Sequence, residues 1–427
     1  MRNIFLKILL LVTFISSGQS IEILHQLKKG QQRSEKAQDL SDSFTTRVNT
    51  DSGISESTQG CFEGIAYTVD EASLVLSPAA FKASKLYSVE PTDGVGDFTV
   101  VRGSVATRIN SSGLIEEMAD NVPRLDYPII DGIVQSCPEL LLEPQSTNLY
   151  LNSDIIVTQN ITVTNTDYTV SFFGTGTITF TGTHTGSLVG TGATERVQLT
   201  FTPTAGTLIS TISGTVTNGQ AENLEYSTSF ILTAGSTVTR LADVVTDAGD
   251  SSTFNSEEGV LYVEMAALSD GGSFRAISIE KDNLEVDRVS IYYRPNSGQI
   301  SALVRVGNVN IVFFTENVGV TTEFKKFAFK YSVNDFSLWV DGVKLTEQLS
   351  GITSIANSLN GINFYKTAVP SDLFIGRIRD LRVFKTALTD AQLEVLTCPD
   401  GETCLNLIPF ILIGFKRRRK TQYKLAA

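Results

Sequence analysis

The stretch DYTVSFFGTGTITFTGTHTGSLVGTGATERVQLTFTPTAGTLISTISGTV, residues 167–216, sets β-branched or aromatic residues at every second position and interrupts them with Gly-containing turns. Period-two alternation puts one set of side chains against a core and the other in water, as an antiparallel sheet with one wet face requires. Several such strands in so short a span make a small β-sandwich or jelly roll. Gly-Thr-Gly occurs at 174–176 and again at 190–192, but the flanks differ too much for an internal repeat.

Outward from this stretch the chain keeps the same character. It has 427 residues, too many for one ordinary core, with 33 Gly, 2 His, 1 Trp and 3 Met and only 19% charged residues. That profile suits many short strands joined by turns. The formal net charge of −12 excludes a broad basic face for nucleic acid. His25 and His184 lie far apart in unlike contexts, which argues against histidine-based metal chemistry.

The expected architecture is all-β. A polar linker (21–60) leads to a loop-rich connector over 61–149, where Pro123, Pro128, Pro138 and Pro144 exclude long helices and central strands. Two antiparallel sandwiches follow, over 150–245 and 252–397. In the second, GVLYVEMAAL, FRAISIE, DRVSIYYR, QISALVRVGN, VNIVFFTE and KKFAFKYSVNDFSLWVDGVKL read as strands, with hairpin turns at Asn334-Asp335 and Asp341-Gly342. A short helix from Thr389, its N-cap, closes the unit.

Both ends stand apart. MRNIFLKILLLVTFISSGQS (1–20) has the basic start, apolar run and small polar residues of a secretory signal. The last segment (398–427) carries an apolar run before Lys416-Arg417-Arg418-Arg419-Lys420, too short for a membrane span of about 20 residues, and reads as a basic tail. Cys398 and Cys404 bound a loop suited to a disulfide in an exported protein; free thiols there, and at Cys61 and Cys137, are the alternative.

Five strings, GDFT (96–99), ATRIN (106–110), GLIE (113–116), NVPRLDY (121–127) and LLLEPQSTNL (140–149), together resemble a segment of tail-associated and other structural proteins of bacteriophages and prophages. YSTSFILTAGSTVTRLAD (226–243) is similar to the strand and crossover that closes a carbohydrate-binding-type jelly roll in the same proteins. SLWVDGVKL (337–345) with FIGRIRDLRVFKTALTDAQLEVL (374–396) resembles laminin G-like and concanavalin A-like lectin/glucanase sandwiches. The resemblance implies a non-catalytic virion protein (tail fibre, spike or head decoration) that touches host-surface glycans, contacts other virion proteins and forms a homo-oligomer, a trimer in most fibres. The signal-like start and the basic tail depart from that pattern and keep a secreted or surface bacterial adhesin in play.

Three groups of residues invite chemistry. Glu280-Lys281-Asp282-Asn283-Leu284-Glu285 has the E-x-D-x-x-E spacing of glucanases, in which two carboxylates flank the scissile bond. It falls where a hairpin turn belongs, so a solvated loop is expected and no catalytic residue is assigned. Arg102 and Arg108 have the guanidinium forks to clamp an anion. Pairing with Glu116, Glu117 or Asp126 is the favoured reading, which makes Arg102, Arg108, Glu116, Arg124 and Asp126 fasteners of the connector. The candidate glycan-binding residues are Tyr331, Asp335, Phe336, Trp339 and Asp341, an aromatic platform beside two turn carboxylates. Packing of Trp339 into the core is the competing and commoner outcome. Asp335 and Asp341 offer hard oxygens to Ca2+, but the segment supplies few of the six to eight ligands that ion takes. No other cofactor is expected.

Overall fold

A computed structural model describes residues 72–82, 85–88, 98–282, 284–354, 356–365, 372–400 and 404. The signal-like segment, the polar linker, Cys61 and the basic tail after Cys404 lie outside the described residues.

The chain enters through β1 (Ala72–Lys82), β2 (Lys85–Ser88) and β3 (Phe98–Val101). Then come the hairpin β4 (Ala106–Ile109) with β5 (Ile115–Met118), β6 (Leu125–Asp126), the hairpin β7 (Ile129–Ile130) with β8 (Ile133–Val134), and β9 (Glu139–Leu142). A compact unit follows: β10 (Ser146–Asn148), β11 (Gln159–Val163), β12 (Tyr168–Gly174), β13 (Thr177–Gly182), β14 (Gly186–Val189), β15 (Gly192–Phe201), β16 (Gly206–Ser213), β17 (Thr217–Glu222) and β18 (Val238–Arg240). The rest comprises β19 (Val244–Thr246), β20 (Glu258–Ala267), β21 (Arg275–Lys281), β22 (Leu284–Tyr293), β23 (Gln299–Val306) and β24 (Val309–Asn317). After them come β25 (Lys325–Ser332), β26 (Phe336–Val340), β27 (Val343–Gln348), β28 (Gly361–Asn363), β29 (Gly376–Phe384) and the helix α1 (Asp390–Leu396).

The compact unit is the small sandwich that residues 167–216 imply. Its sheets run β11-β16-β13-β14 and β15-β12-β17, and Tyr168, Val170, Phe172, Ile178, Phe180 and Leu208 fill the space between them. One detail departs from strict alternation. On β12 the outer residues Thr169 and Ser171 are also buried, because the segment after β17 folds over them. The Thr169 hydroxyl donates to the Leu224 carbonyl at 2.8 Å, and Arg196 bonds both the Ser171 hydroxyl and the Thr228 carbonyl. The residues expected to form a closing strand from 226 onward are therefore mostly irregular cover, with only Val238–Arg240 as strand. The repeated Gly-Thr-Gly is a packing device. A side chain at Gly190 would sit 2.1 Å from the Gly174 carbonyl oxygen, so the two segments approach backbone to backbone.

The larger sandwich differs from the expected layout. Its main sheet runs β19-β3-β2-β1-β29-β20-β25-β26-β27, with β6 and β9 attached, and faces a second sheet, β24-β23-β22-β21-β28. Strand β29 pairs with β20 along one side and with β1 and then β9 along the other. The segment read as a small connector is thus part of this sandwich. Leu74, Leu76, Phe98, Val100, Leu125, Leu140 and Leu142 lie in the same core as Leu261, Phe327 and Val383. Each such burial contributes about 1.5–3 kcal/mol, a reward a loop-rich connector cannot collect alone. The small sandwich is an insertion whose entry and exit strands, β10 and β18, pair with each other.

Local signals hold where they are local. Asn334, Asp341 and Gly342 adopt positive φ at the two hairpin turns. Thr389 caps α1 through a reciprocal bond with Gln392. Cys398 and Cys404 are joined by a disulfide, and Cys137 is disulfide-bonded too. Among the described residues no helix is long and apolar enough to cross a membrane.

Candidate functional site

The fasteners come together around two acids that sequence reasoning missed. Arg102, wholly buried, bonds Asp243 at 2.8 Å and donates to the carbonyls of Ser104, Ala119 and Val122. Arg124 bonds Glu143 at 2.5 Å and also Asp243, while Arg240 reaches Glu143 at 3.3 Å. Burial pushes the Glu143 carboxyl up, but Arg240 and Arg124 outweigh it and hold the group at about 2. Arg108 pairs with Glu116 at 2.9 Å, as expected, and Asp126 accepts from the Ile109 amide at 2.7 Å. Burial raises the Asp126 carboxyl to about 6. Arg102 does not pair with Glu116, Glu117 or Asp126. The partner at position 243 belongs to the segment just after the insertion, which no local spacing announces. The cluster is architecture: it ties β3, β6, β9 and the insertion's exit together, with the two acids met by three buried arginines.

The aromatic platform does not form. Tyr331 and Phe336 are fully buried in the main core, and the Tyr331 hydroxyl donates to the Asn255 carbonyl. Trp339 points to the opposite face of the sheet, 5% exposed, among Tyr262, Phe384, Leu393 and Leu396 beneath α1. Strand β26 is covered on both faces, the inner by the second sheet and the outer by the helix. Asp335 pairs with Lys330 at 2.8 Å, and Asp341 pairs with Lys325 and accepts from the Lys326 amide. These carboxylates neutralise lysines and cap turns. Among the described residues no group of three His, Cys, Asp or Glu stands ready for a metal ion.

The E-x-D-x-x-E motif is a hairpin, as expected, but not a solvated one throughout. Asp282 sits in the turn at φ 53°, exposed and bonded to Asn360. Glu280, however, is fully buried in β21, directly opposite Arg288 on β22. The two acids therefore do not share one face of one strand, which glucanase chemistry needs.

Glu280 belongs to a polar layer on the far side of this sheet, which the E-x-D-x-x-E spacing does not announce. Along β21, β22 and β23, Ile277, Ile279, Val289, Ile291, Ala302 and Val304 point into the core. Ser278, Glu280, Arg288, Ser290 and Ser301 point the other way and are buried, and the apolar Ala276 and Leu303 share that side with them. The serine hydroxyls are linked across strands, Ser278 to Ser290 at 2.8 Å and Ser301 to Thr315 at 2.9 Å. Arg305 stands opposite Arg288 in the next strand. Toward the other end lie Tyr292 and Phe274, ring edge to ring face, and Arg294, which lies over both Phe274 and Phe313. Phe313 is about half exposed on the edge strand β24. The signal for this layer is the alternation of Ser278 and Glu280 with Ile277 and Ile279 in FRAISIE, and of Arg288 and Ser290 with Val289 and Ile291 in DRVSIYYR.

No family model matches the chain, and no curated protein does. Solved structures similar to it include the CBM40 module of the Ruminococcus gnavus IT-sialidase bound to α2,3-sialyllactose, 14% identical, covering 34% of this chain and 83% of that one at a TM-score of 0.29. A leech intramolecular trans-sialidase in complex with 2,7-anhydro-Neu5Ac is 19% identical, covering 35% of this chain and 24% of that one at 0.28. A heptameric SAP-like pentraxin from Limulus polyphemus is 11% identical, covering 33% of this chain and 69% of that one at 0.26.

Proposed function

We propose that the protein is a non-catalytic adhesion protein that binds a glycan on the outer face of its five-stranded sheet. The observation that carries this reading is the chemistry of that face. Its accessible part is the edge where Arg294 lies over the Phe274 and Phe313 rings, with Phe313 about half exposed and Thr315 exposed on the same strand, while the Glu280 carboxylate and the linked serines farther in are buried. Sugars are recognised by such a pairing, hydrogen-bond donors and acceptors for the hydroxyls and an aromatic ring for the C–H face. The split placement of Glu280 and Asp282 speaks against hydrolysis.

The setting we propose is a virion surface, supported by the resemblance over residues 96–149, with multivalent display in a homo-oligomer strengthening a shallow site. The disulfide at Cys398–Cys404 favours a second setting, a secreted or cell-surface bacterial adhesin, because such bonds persist in oxidising surroundings. Binding of the full-length chain to an array of bacterial surface glycans tests the glycan reading. Phe313→Ala and Arg294→Ala are expected to weaken the strongest signal at least about tenfold. A chain that binds no glycan, or whose binding ignores both substitutions, overturns it. Antibody labelling of purified particles decides between the two settings.

A further inference from the structure

Arg275 opens β21, and unlike Arg288 it belongs to the inward-facing set of that strand, in phase with Ile277 and Ile279. It is 2% exposed. Its Nη1 donates to the Ser269 carbonyl at 2.6 Å, and its guanidinium lies 5.6 Å from the centre of the Tyr293 ring. Nε and Nη2 have no hydrogen-bond partner among the described residues, and no carboxylate forms an ion pair with the group. A guanidinium cannot shed its proton in a protein, so burial cannot be relieved by neutralisation. A buried charge without a counterion is among the costliest features a fold can hold.

The nearby acids do not supply that counterion. Asp270 is committed to Ser297, the Gly298 amide and the Thr321 hydroxyl. Glu225, on the insertion, lies across the seam, its Oε1 3.4 Å from where a side chain on Gly272 would begin. It acts on Arg275 through space, together with Tyr226, but makes no ion pair with it. The Tyr293 hydroxyl is already given to the Met265 carbonyl.

Which nitrogens are left over fixes the chemistry. Nε and Nη2 form one edge of the guanidinium, two parallel N–H donors spaced to meet the two oxygens of a single carboxylate. We infer that this edge of Arg275 receives the carboxylate of a small acid at the seam between the inserted and the larger sandwich. The Gly271-Gly272 loop, with both residues at positive φ, forms the sandwich side of that seam, and Tyr226 and Glu225 form the insertion side. The site is separate from the outer face of the five-stranded sheet, since Arg275 points to the other side of β21. An acidic sugar and a simple carboxylic acid share the chemistry, and they are told apart by what surrounds the carboxylate.

Calorimetric titration of the full-length protein with sodium acetate and with D-glucuronate, against glucose and sodium chloride, tests the inference. Saturable binding of at least one acid, and of neither control, is expected, with a dissociation constant below about 10 mM. Arg275→Lys keeps the charge and loses the fork, so its affinity should fall about tenfold or more. Arg294→Ala should leave acid binding unchanged even where it abolishes glycan binding. Glucuronate binding well above acetate assigns an acidic sugar, and equal affinities assign a bare carboxylate. No saturable binding of either acid to the unaltered protein overturns the inference whatever the variants do, and so does an Arg275→Lys protein that titrates like the parent.

Discussion

Arg124 and Arg275 are both fully buried arginines, but they differ in what meets them. Arg124 has Glu143, Asp243, the Ser229 hydroxyl and the Thr107 carbonyl within bonding distance. Arg275 has one carbonyl and one hydroxyl, both from Ser269. Both charges had to leave water on folding, and only one is repaid inside the protein. Buried charge on its own therefore does not mark function. A guanidinium paired with acids marks a joint, whereas one met only by neutral oxygens marks a place where something from outside completes the structure.

The largest effect should come from opening the joint. Arg124→Met leaves Glu143 and Asp243 buried with less positive charge beside them, and should cost about 3–5 kcal/mol in urea unfolding. The same exchange at Arg275 should behave in the opposite way. Arg275→Met removes a charge that nothing neutralises, so stability should stay level or rise, and a loss matching that of Arg124→Met would erase the distinction between the two sites.

Acid should find the joint next. Glu143 is held at about 2 in the folded state against 4.5 in an unfolded chain. Its stabilisation is complete above pH 4.5 and is lost as pH falls toward 2, about 3 kcal/mol over that window. A Tm profile between pH 6 and 2 should show the fall, and Glu143→Gln, less stable throughout, should flatten it. The smallest effect concerns Asp126, whose burial raises its carboxyl to about 6. Here the sign reverses: the folded state holds the proton more tightly, so this group's contribution weakens as pH rises from about 4 through 6. The shift alone converts to about 3 kcal/mol, which the partial exposure of Asp126 cuts to about 1 kcal/mol. Asp126→Asn, which keeps an acceptor for the Ile109 amide, should therefore raise Tm by a few degrees at pH 8 and by nothing at pH 4.

How much of this was legible depended on distance along the chain. The alternation of 167–216, the turns at Asn334 and Asp341 and the cap at Thr389 are local, and they appear where the residues placed them. Burial of Trp339 is the commoner expectation and holds, but its cover is α1, fifty residues away, which Leu338 and Val340 do not announce. Asp243, 141 positions from Arg102, and β1, which pairs with β29, leave no trace in periodicity. Such partners are chosen by tertiary packing, which a window of a dozen residues does not contain. The outer polar face was readable in principle, since its alternation is local. The spaced acids Glu280 and Glu285 form the more conspicuous pattern, and the arginines and serines that flank them share none of its spacing.

The placement of β1 also sets a timetable. The Ser73 hydroxyl bonds the Val383 carbonyl, 310 positions later. At a synthesis rate of about 5–20 residues per second, roughly 15–60 s pass between the emergence of the first strand and that of its neighbour. The insertion, whose strands pair mostly among themselves, has everything it needs to fold long before then. The larger sandwich does not, and an unpaired strand waiting beside the ribosome invites other chains to pair with it. A fragment beginning at residue 252 would lack β1, β3 and β9 and would carry that exposed edge permanently. The larger sandwich is a unit in space without being one in the gene.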